Sequence, residues 1–342
     1  MNDRRERSSG SGERSAATPV PLAPASVTAV LLTHKRPRLA TAAVRSLVQQ
    51  EGFPPDRVVV VVNGAGGLED EALEARVHMV RLPRNLGPAG GFAAGMEAAF
   101  SDPSVRWAYL CEDDVGLFSL PSPRVANVID RAEARNRQPG RPVGAVVAYG
   151  RRFVGRGTYT VNLVPSEEST HELVSVDVAM WGATLLAREV FDAGIRPDDV
   201  WFFGLEDFDF FCRVRKGGFE VLVDAVSARA VADQQTSAGR AEAVAAHRPT
   251  YDSEAWRWYY DTRNRILFTR RHGRPSWHLW NLAIEARHIQ KASGRDERRA
   301  RLHGLWDGAR GRFGEHPGYG RTMGEHTATD EMTEKRDPAC AG

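Results

Sequence analysis

The chain has 342 residues, 42% hydrophobic and 26% charged. This excludes a wholly disordered chain and leaves room for one large α/β domain with appendages, or for two domains. Lys plus Arg number 46 against 44 Asp plus Glu, a net charge of +2, so no strong overall field draws the chain to nucleic acid or anionic lipid. Three scattered cysteines, Cys111, Cys212 and Cys340, exclude a disulfide framework and a CxxC metal site and point to a reducing, cytoplasmic setting.

Residues 1–25 are Arg, Ser, Gly, Ala and Pro with no apolar core region, which predicts a disordered tail rather than a signal peptide. Val27–Thr33 is a continuous apolar run, as in a strand buried on both faces. Pro37 suits the first turn of a helix in which Leu39, Ala43 and Leu47 share one face. Arg57–Val62 and Val77–Leu82 predict the second and third strands. The run Asn85-Leu86-Gly87-Pro88 opens a helix with Phe92, Met96 and Phe100 on its apolar face. Trp107–Cys111 predicts a fourth strand, ending in Glu112-Asp113-Asp114. This alternation predicts an α/β fold built on a mostly parallel sheet. In such sheets ligands sit at the carboxyl ends of strands, so Thr33, Asn63, Asn85 and residues 112–114 should converge on one crevice.

The second half is less regular. Val143–Tyr149, Leu173–Val178, Trp181–Leu186 and Glu220–Val223 predict strands, and Tyr251–Arg271 and Trp277–Arg310 predict helices. Between Arg263 and Arg312 there are 13 Lys and Arg against 4 Asp and Glu, a basic excess hidden by the overall neutrality. No stretch nears the roughly 20 apolar residues that cross a bilayer.

Two acidic segments carry the chemistry. Alternation along a strand puts Glu112 and Asp114 on the same side, and two such oxygen ligands suit a hard divalent ion, Mg²⁺ or Mn²⁺; the plain alternative is a solvated acidic turn. The segment Trp201–Arg213 mixes aromatics with Glu206, Asp207 and Asp209. A carboxylate desolvated there has a raised pKa and can act as general base. The same acids also suit a helix N-terminus with Arg213 and Arg215 downstream, and both readings stand.

These pieces in this order resemble the inverting glycosyltransferases of family 2. The carriers are Thr33-His34-Lys35-Arg36-Pro37, Val61-Val62-Asn63-Gly64, Arg84-Asn85-Leu86-Gly87-Pro88-Ala89-Gly90-Gly91-Phe92, the DxD-like Glu112-Asp113-Asp114, Glu206-Asp207-Phe208-Asp209, and Tyr259-Tyr260 with Arg263-Asn264. The Asn-Leu-Gly-x-x-Gly-Gly-Phe run and Gly304-Leu305-Trp306-Asp307-Gly308 are most similar to the galactofuranosyl- and rhamnosyltransferase branch. The resemblance implies the GT-A fold, a Rossmann-like sheet flanked by helices, with a C-terminal helical extension. It divides the chain into a tail over 1–25, a catalytic domain over 26–250, a helical region over 251–313 and a disordered tail over 314–342.

The resemblance further implies transfer, with inversion, from a UDP- or dTDP-linked sugar such as galactofuranose or rhamnose. The acceptor would be a hydroxyl on a glycan, a lipid-linked saccharide or a small molecule. Asp207 inherits the role of general base. Glu112 and Asp114 inherit the metal, Mn²⁺ or Mg²⁺, with Asp233 standing where the family commonly has a further His ligand. Thr33, Arg36, Asn63, Arg84, Asn85, Gly90 and Asp113 would line the donor site, and Trp181, Glu206 and Asp209 the acceptor side. Val62 departs from the Asp that the family often uses to read the base.

Other readings are weighed against these. The glycines from Gly87 to Gly95 do not form a dinucleotide fingerprint, and the histidines lack zinc-enzyme spacing. A GT-A-like domain that binds sugar nucleotide or glycan without turnover is the alternative function. The basic C-terminal helices match no nucleic-acid motif. They either lie on the inner face of the cell membrane as a peripheral contact or cap the catalytic domain with Arg on the solvated face, the cap being preferred. The Arg/Ala-rich make-up fits a high-GC bacterium.

Overall fold

The computed structural model describes residues 26–113, 124–155, 158, 160–165, 172–237 and 255–319, the side chains of 233–237 excepted. The first half alternates strand and helix: β1 (Val27–Thr33), α1 (Pro37–Gln49), β2 (Val58–Asn63), a single turn α2 (Glu71–Glu74), β3 (His78–Leu82), α3 (Gly87–Phe100) and β4 (Trp107–Glu112). α4 (Arg124–Asn136) and β5 (Val143–Val147) follow. The irregular part is β6 (Gly150–Phe153), β7 (Thr160–Asn162), β8 (Leu173–Ser175), β9 (Val178–Ala179), β10 (Thr184–Ala187) and α5 (Arg188–Asp192). Then come α6 (Glu206–Lys216), β11 (Glu220–Asp224), α7 (Ala225–Ser237) and three helices, α8 (Ala255–His272), α9 (Pro275–Gln290) and α10 (Arg295–Arg310).

Eight strands form one sheet in the order β3-β2-β1-β4-β10-β5-β11-β8. β3, β2, β1 and β4 are parallel, as are β5 and β11, while β10 and β8 run against their neighbours. The mostly parallel α/β sheet expected from the alternation is present. Its central strands are buried on both faces: Ala29 and Leu31 pack with α1 and α4 on one side, Val30 and Leu32 with α3 and α6 on the other. Continuous Val and Leu runs suit strands that are covered twice. α3 approaches β1 closely, since a Cβ on Gly91 or Gly95 would come 2.3 Å from Leu32 or Val30.

Several expectations change. Leu39 is 41% exposed, and the buried face of α1 runs through Ala40, Val44 and Leu47 instead. Leu173–Val178 is two strands, because the chain changes sheets: Ser175 pairs with Leu222, whereas Val178 pairs with Arg151 in a three-stranded sheet β7-β6-β9. The strand expected from Trp181 begins only at Thr184, because Gly182 (φ 100°) and Ala183 (φ 39°) are left-handed and an extended strand cannot pass through them. Trp277–Arg310 is broken at residues 291–294, around Ser293-Gly294.

Residues 314–319, assigned by sequence to the C-terminal tail, pack on α8. Tyr319 stacks on Tyr259 at 4.4 Å, and the His316 amide donates to the Tyr260 hydroxyl at 2.9 Å. Cys111 and Cys212 lie among apolar neighbours, and burial pushes the Cys212 thiol up to about 12. Cys340 lies outside the described residues. Among the described residues no helix is long and apolar enough to cross a membrane.

Candidate active site

The carboxyl ends of β1, β2 and β4 open into a cavity of about 310 Å³ lined by Thr33, Arg36, Asn63, Asn85, Glu112 and, from α8, Arg257. Parallel register places these residues side by side: Thr33 lies opposite Val62 and Leu32 opposite Glu112. Adjacent parallel strands end at one edge, so residues 30 to 80 apart in sequence meet there. Lys35 and His34 also reach the cavity. Burial pushes the His34 imidazole below its usual pKa, and its Nδ1 lies 2.6 Å from the Asn63 carbonyl oxygen.

Part of this ring is spent on its own architecture. The fully buried Asp113 carboxylate accepts from Thr33 Oγ1 at 2.6 Å and pairs with Arg36 at 2.7 Å. Asn63 donates to the Gly87 carbonyl at 2.9 Å and accepts from the Leu86 amide at 2.8 Å, while Asn85 accepts from the Gly87 amide at 2.8 Å. Gly87 has φ 74°, and a Cβ there would lie 1.9 Å from the Phe202 carbonyl oxygen. The loop entering α3 is thereby seated against the turn that precedes α6.

That turn is itself unusual. Phe202 (φ 61°), Gly204 (φ 79°) and Leu205 (φ 64°) are all left-handed. It is fastened from behind by α8: Arg263 donates to the Trp201 carbonyl at 3.0 Å, and Asn264 to those of Phe203 at 2.5 Å and Gly204 at 2.7 Å. Both residues are buried. The turn delivers Glu206 and Asp207 into the first turn of α6. Burial pushes the Asp207 carboxyl up to about 7, against the pull of the Phe208 amide at 2.7 Å and the charge of Arg151. Burial, then repulsion from Asp207 and Glu112, holds Glu206 well above the usual carboxylate range. The end of β4 and the start of α6 are therefore within electrostatic reach of each other, and Phe203 of the turn before α6 lines the cavity.

Residues 28–143 match the sequence profile of glycosyl transferase family 2. The chain is similar to the galactofuranosyltransferase GlfT1 of Mycobacterium tuberculosis, with 36% identity over 93 residues. That match spans 26% of this chain and 30% of the mycobacterial protein. Among solved structures it is similar to GalNAc-T7 with UDP, GalNAc and Mn²⁺ (TM-score 0.41, 13% identity, 59% of this chain and 42% of that one). It is also similar to the mannosyltransferase PcManGT from Pyrobaculum calidifontis in complex with GDP-Man and Mn²⁺ (TM-score 0.42, 14% identity, 88% and 81%).

The structure gathers Thr33, Arg36, Asn63, Asn85 and Glu112 at one cavity, with Glu206 in electrostatic reach of Glu112 and Asp207 next to it in sequence. Other expected residues lie elsewhere. Arg84 has 70% of its side chain exposed, 3.7 Å from Glu315, and does not line the cavity. Gly90 packs inside α3 against Leu86, where a Cβ would come within 2.5 Å. Trp181 is a core residue, its ring held among Phe92, Phe210 and Phe211 at 4.6–5.6 Å, so it offers no face for a sugar. Asp209 is fully buried and bound by Arg213 at 2.8 Å and His272 at 2.7 Å, a structural ion pair behind the cleft. Burial alone would raise its carboxyl, but His272, Arg213 and Arg271 hold it low. On α6, a residue two positions after Asp207 is turned by about 200°, which is why Asp207 and Asp209 face opposite ways.

Asp114 lies outside the described residues. Asp233 lies on α7, its side chain outside them. Among the described residues no cluster of three or more His, Cys, Asp and Glu is arranged to hold a metal. The donors that do fit a hard cation are carboxylate oxygens, with Glu112 at the cavity and Glu206 within its electrostatic reach.

Sequence reasoning missed Arg151, the basic group whose charge acts on Asp207. It sits on β6, between Asn162 and Val178 of the neighbouring strands, in a region with no strong periodicity. It also missed Trp256 and Arg257, which line the cavity from α8.

Proposed function

We propose that this chain is an inverting glycosyltransferase that moves a sugar from a nucleoside diphosphate donor to an acceptor hydroxyl, with Asp207 as general base. The observation that carries the reading is a carboxyl raised to about 7 at the start of α6, four residues past Phe203, which lines a cavity with cations on its wall. A base is best matched when its pKa lies near the working pH. Arg36, Lys35 and Arg257, with the N-terminus of α3 at Pro88, form a wall that suits a diphosphate.

Asp113 holds Arg36 in place, so its part in donor binding is to position that guanidinium. Asn63 and Asn85 shape the α3 entry loop in the same way. Glu112, with Asp114, would hold Mn²⁺ or Mg²⁺, and Asp233 is proposed as a further ligand. When bound, such an ion supplies Lewis-acid neutralisation of the leaving diphosphate. Asp207 takes the acceptor proton as its oxygen attacks the anomeric carbon from the face opposite the leaving group. Glu206, its carboxyl raised by burial and by the charges of Asp207 and Glu112, would orient the acceptor or the base. Similarity to the mycobacterial galactofuranosyltransferase supports a furanosyl or related UDP- or dTDP-sugar as donor.

Transfer assays with a panel of nucleotide sugars and Mn²⁺ test this. Product formation that is lost in Asp207→Asn, while donor binding persists, is the expected result. Full turnover by that variant, or in excess chelator, removes the base or the metal respectively.

A further inference from the structure

The last two helices, α9 and α10, carry an inverted pattern of polarity. A surface helix ordinarily turns its apolar stripe inward and its charges outward. On α9, Asn281 and Glu285 are fully buried, whereas Leu279 is 67% and Trp280 49% exposed. Glu285 is held inside by the Thr262 hydroxyl at 2.9 Å and Arg301 at 3.6 Å, so polar contacts fasten α9 to α8 and α10. α10 continues the pattern, with Leu302 and Trp306 exposed while Ala300, Gly304 and Asp307 turn inward. A lone exposed apolar residue needs no explanation, but four large ones on two successive helices do.

Charge decides what covers them. Arg287, Lys291, Arg295, Arg298, Arg299 and Arg310 are exposed on α9, α10 and their link, and Asp296 is the one exposed acid there among the described residues. Arg310 lies over the Trp306 ring at 3.5 Å, so cation and aromatic share one patch. A second copy of this face would set like charges against each other. An anionic bilayer accepts both features, because Trp and Leu enter the headgroup boundary while guanidinium groups meet lipid phosphates.

We propose that α9 and α10 dock this chain on an anionic lipid surface, with Leu279, Trp280, Leu302 and Trp306 as the inserting side chains. The cleft borders the same bundle through Trp256 and Arg257 of α8, so a docked chain works beside the bilayer. The docking itself does not depend on the catalytic reading.

Sedimentation of the full chain with phosphatidylcholine vesicles, with and without phosphatidylglycerol, tests the proposal. Binding should need the anionic lipid, weaken at high salt and shift tryptophan emission to the blue. Trp280→Ser with Trp306→Ser should weaken it by about tenfold or more, and Arg298→Glu with Arg310→Glu should abolish it at an unchanged melting temperature. Wild-type protein that stays in the supernatant with anionic vesicles overturns the proposal, as does undiminished binding by both variants. A dimer by light scattering that becomes a monomer in the tryptophan variant also overturns it, because a second copy would then cover the face.

Discussion

Asp207 and Asp209 are two residues apart on one helix, yet one is raised to about 7 and the other is held low. The difference is whether cations are in hydrogen-bonding contact. The pH profile of transfer should therefore rise with unit slope below about pH 7 and level off above it, as Asp207 loses its proton. Arg151→Gln should move that midpoint upward, because it removes a positive charge that favours the carboxylate. Asp207→Asn should lower kcat by about 10²–10⁴-fold.

Linkage gives a second readout. A folded-state pKa above the ordinary 3.8 means that the contribution of this carboxyl to stability is fully present at low pH and is lost as pH rises through about 7. The Asn variant should thus gain stability over wild type above pH 7, by at most about 4 kcal/mol, and show little difference near pH 4. Denaturant titrations at the two pH values check it. Equal effects at both would contradict the raised carboxyl.

At the level of elements, the three left-handed residues before α6 are kept in place by α8 and by the α3 entry loop. Arg263 also donates to the Gly314 carbonyl at 2.6 Å, so one guanidinium ties the pre-α6 turn to the C-terminal segment. A lysine there is a single point charge and cannot span those carbonyls. Arg263→Lys should cost about 1–3 kcal/mol through the carbonyls it leaves unpaired, measured by chemical denaturation. Asn264→Ala leaves the Phe203 and Gly204 carbonyls without their partner. It should lower kcat more than donor affinity, since the turn leads into the proposed base and supplies only Phe203 to the proposed donor wall. Gly87→Ala places a methyl on the Phe202 oxygen at positive φ, and should lose at least about 2 kcal/mol together with donor binding.

For the whole molecule, the cavity is assembled from β1, β2, β4, the α3 entry and α8, elements that are far apart in sequence. A ligand that fills it binds only the folded chain. Saturating nucleotide sugar with Mn²⁺ should raise the unfolding free energy by about 2.7 kcal/mol at a hundredfold excess over Kd, read as a thermal shift. The nucleotide without the ion should give a smaller shift, and equal shifts would argue against a metal at Glu112.

The amino-acid order alone was enough to place β1, β2 and β4, because a strand covered on both faces needs an unbroken run of Val, Leu and Ile-like residues, and such runs are visible one by one. It was also enough to bring Thr33, Asn63, Asn85 and Glu112 together, since parallel strands end at a common edge. α4 escaped notice because its buried residues, Val125, Val128, Ile129 and Ala132, are diluted by Arg and Glu. The exchange of strands between sheets at 175–178 left no mark in the pattern. Only the tertiary structure decided that Trp181 is core, that Asp209 is an ion pair behind the cleft and that Asn63 is spent on the α3 loop. Whether a polar side chain meets substrate or its own chain depends on the neighbours that fill its remaining hydrogen bonds, and those neighbours come from other elements.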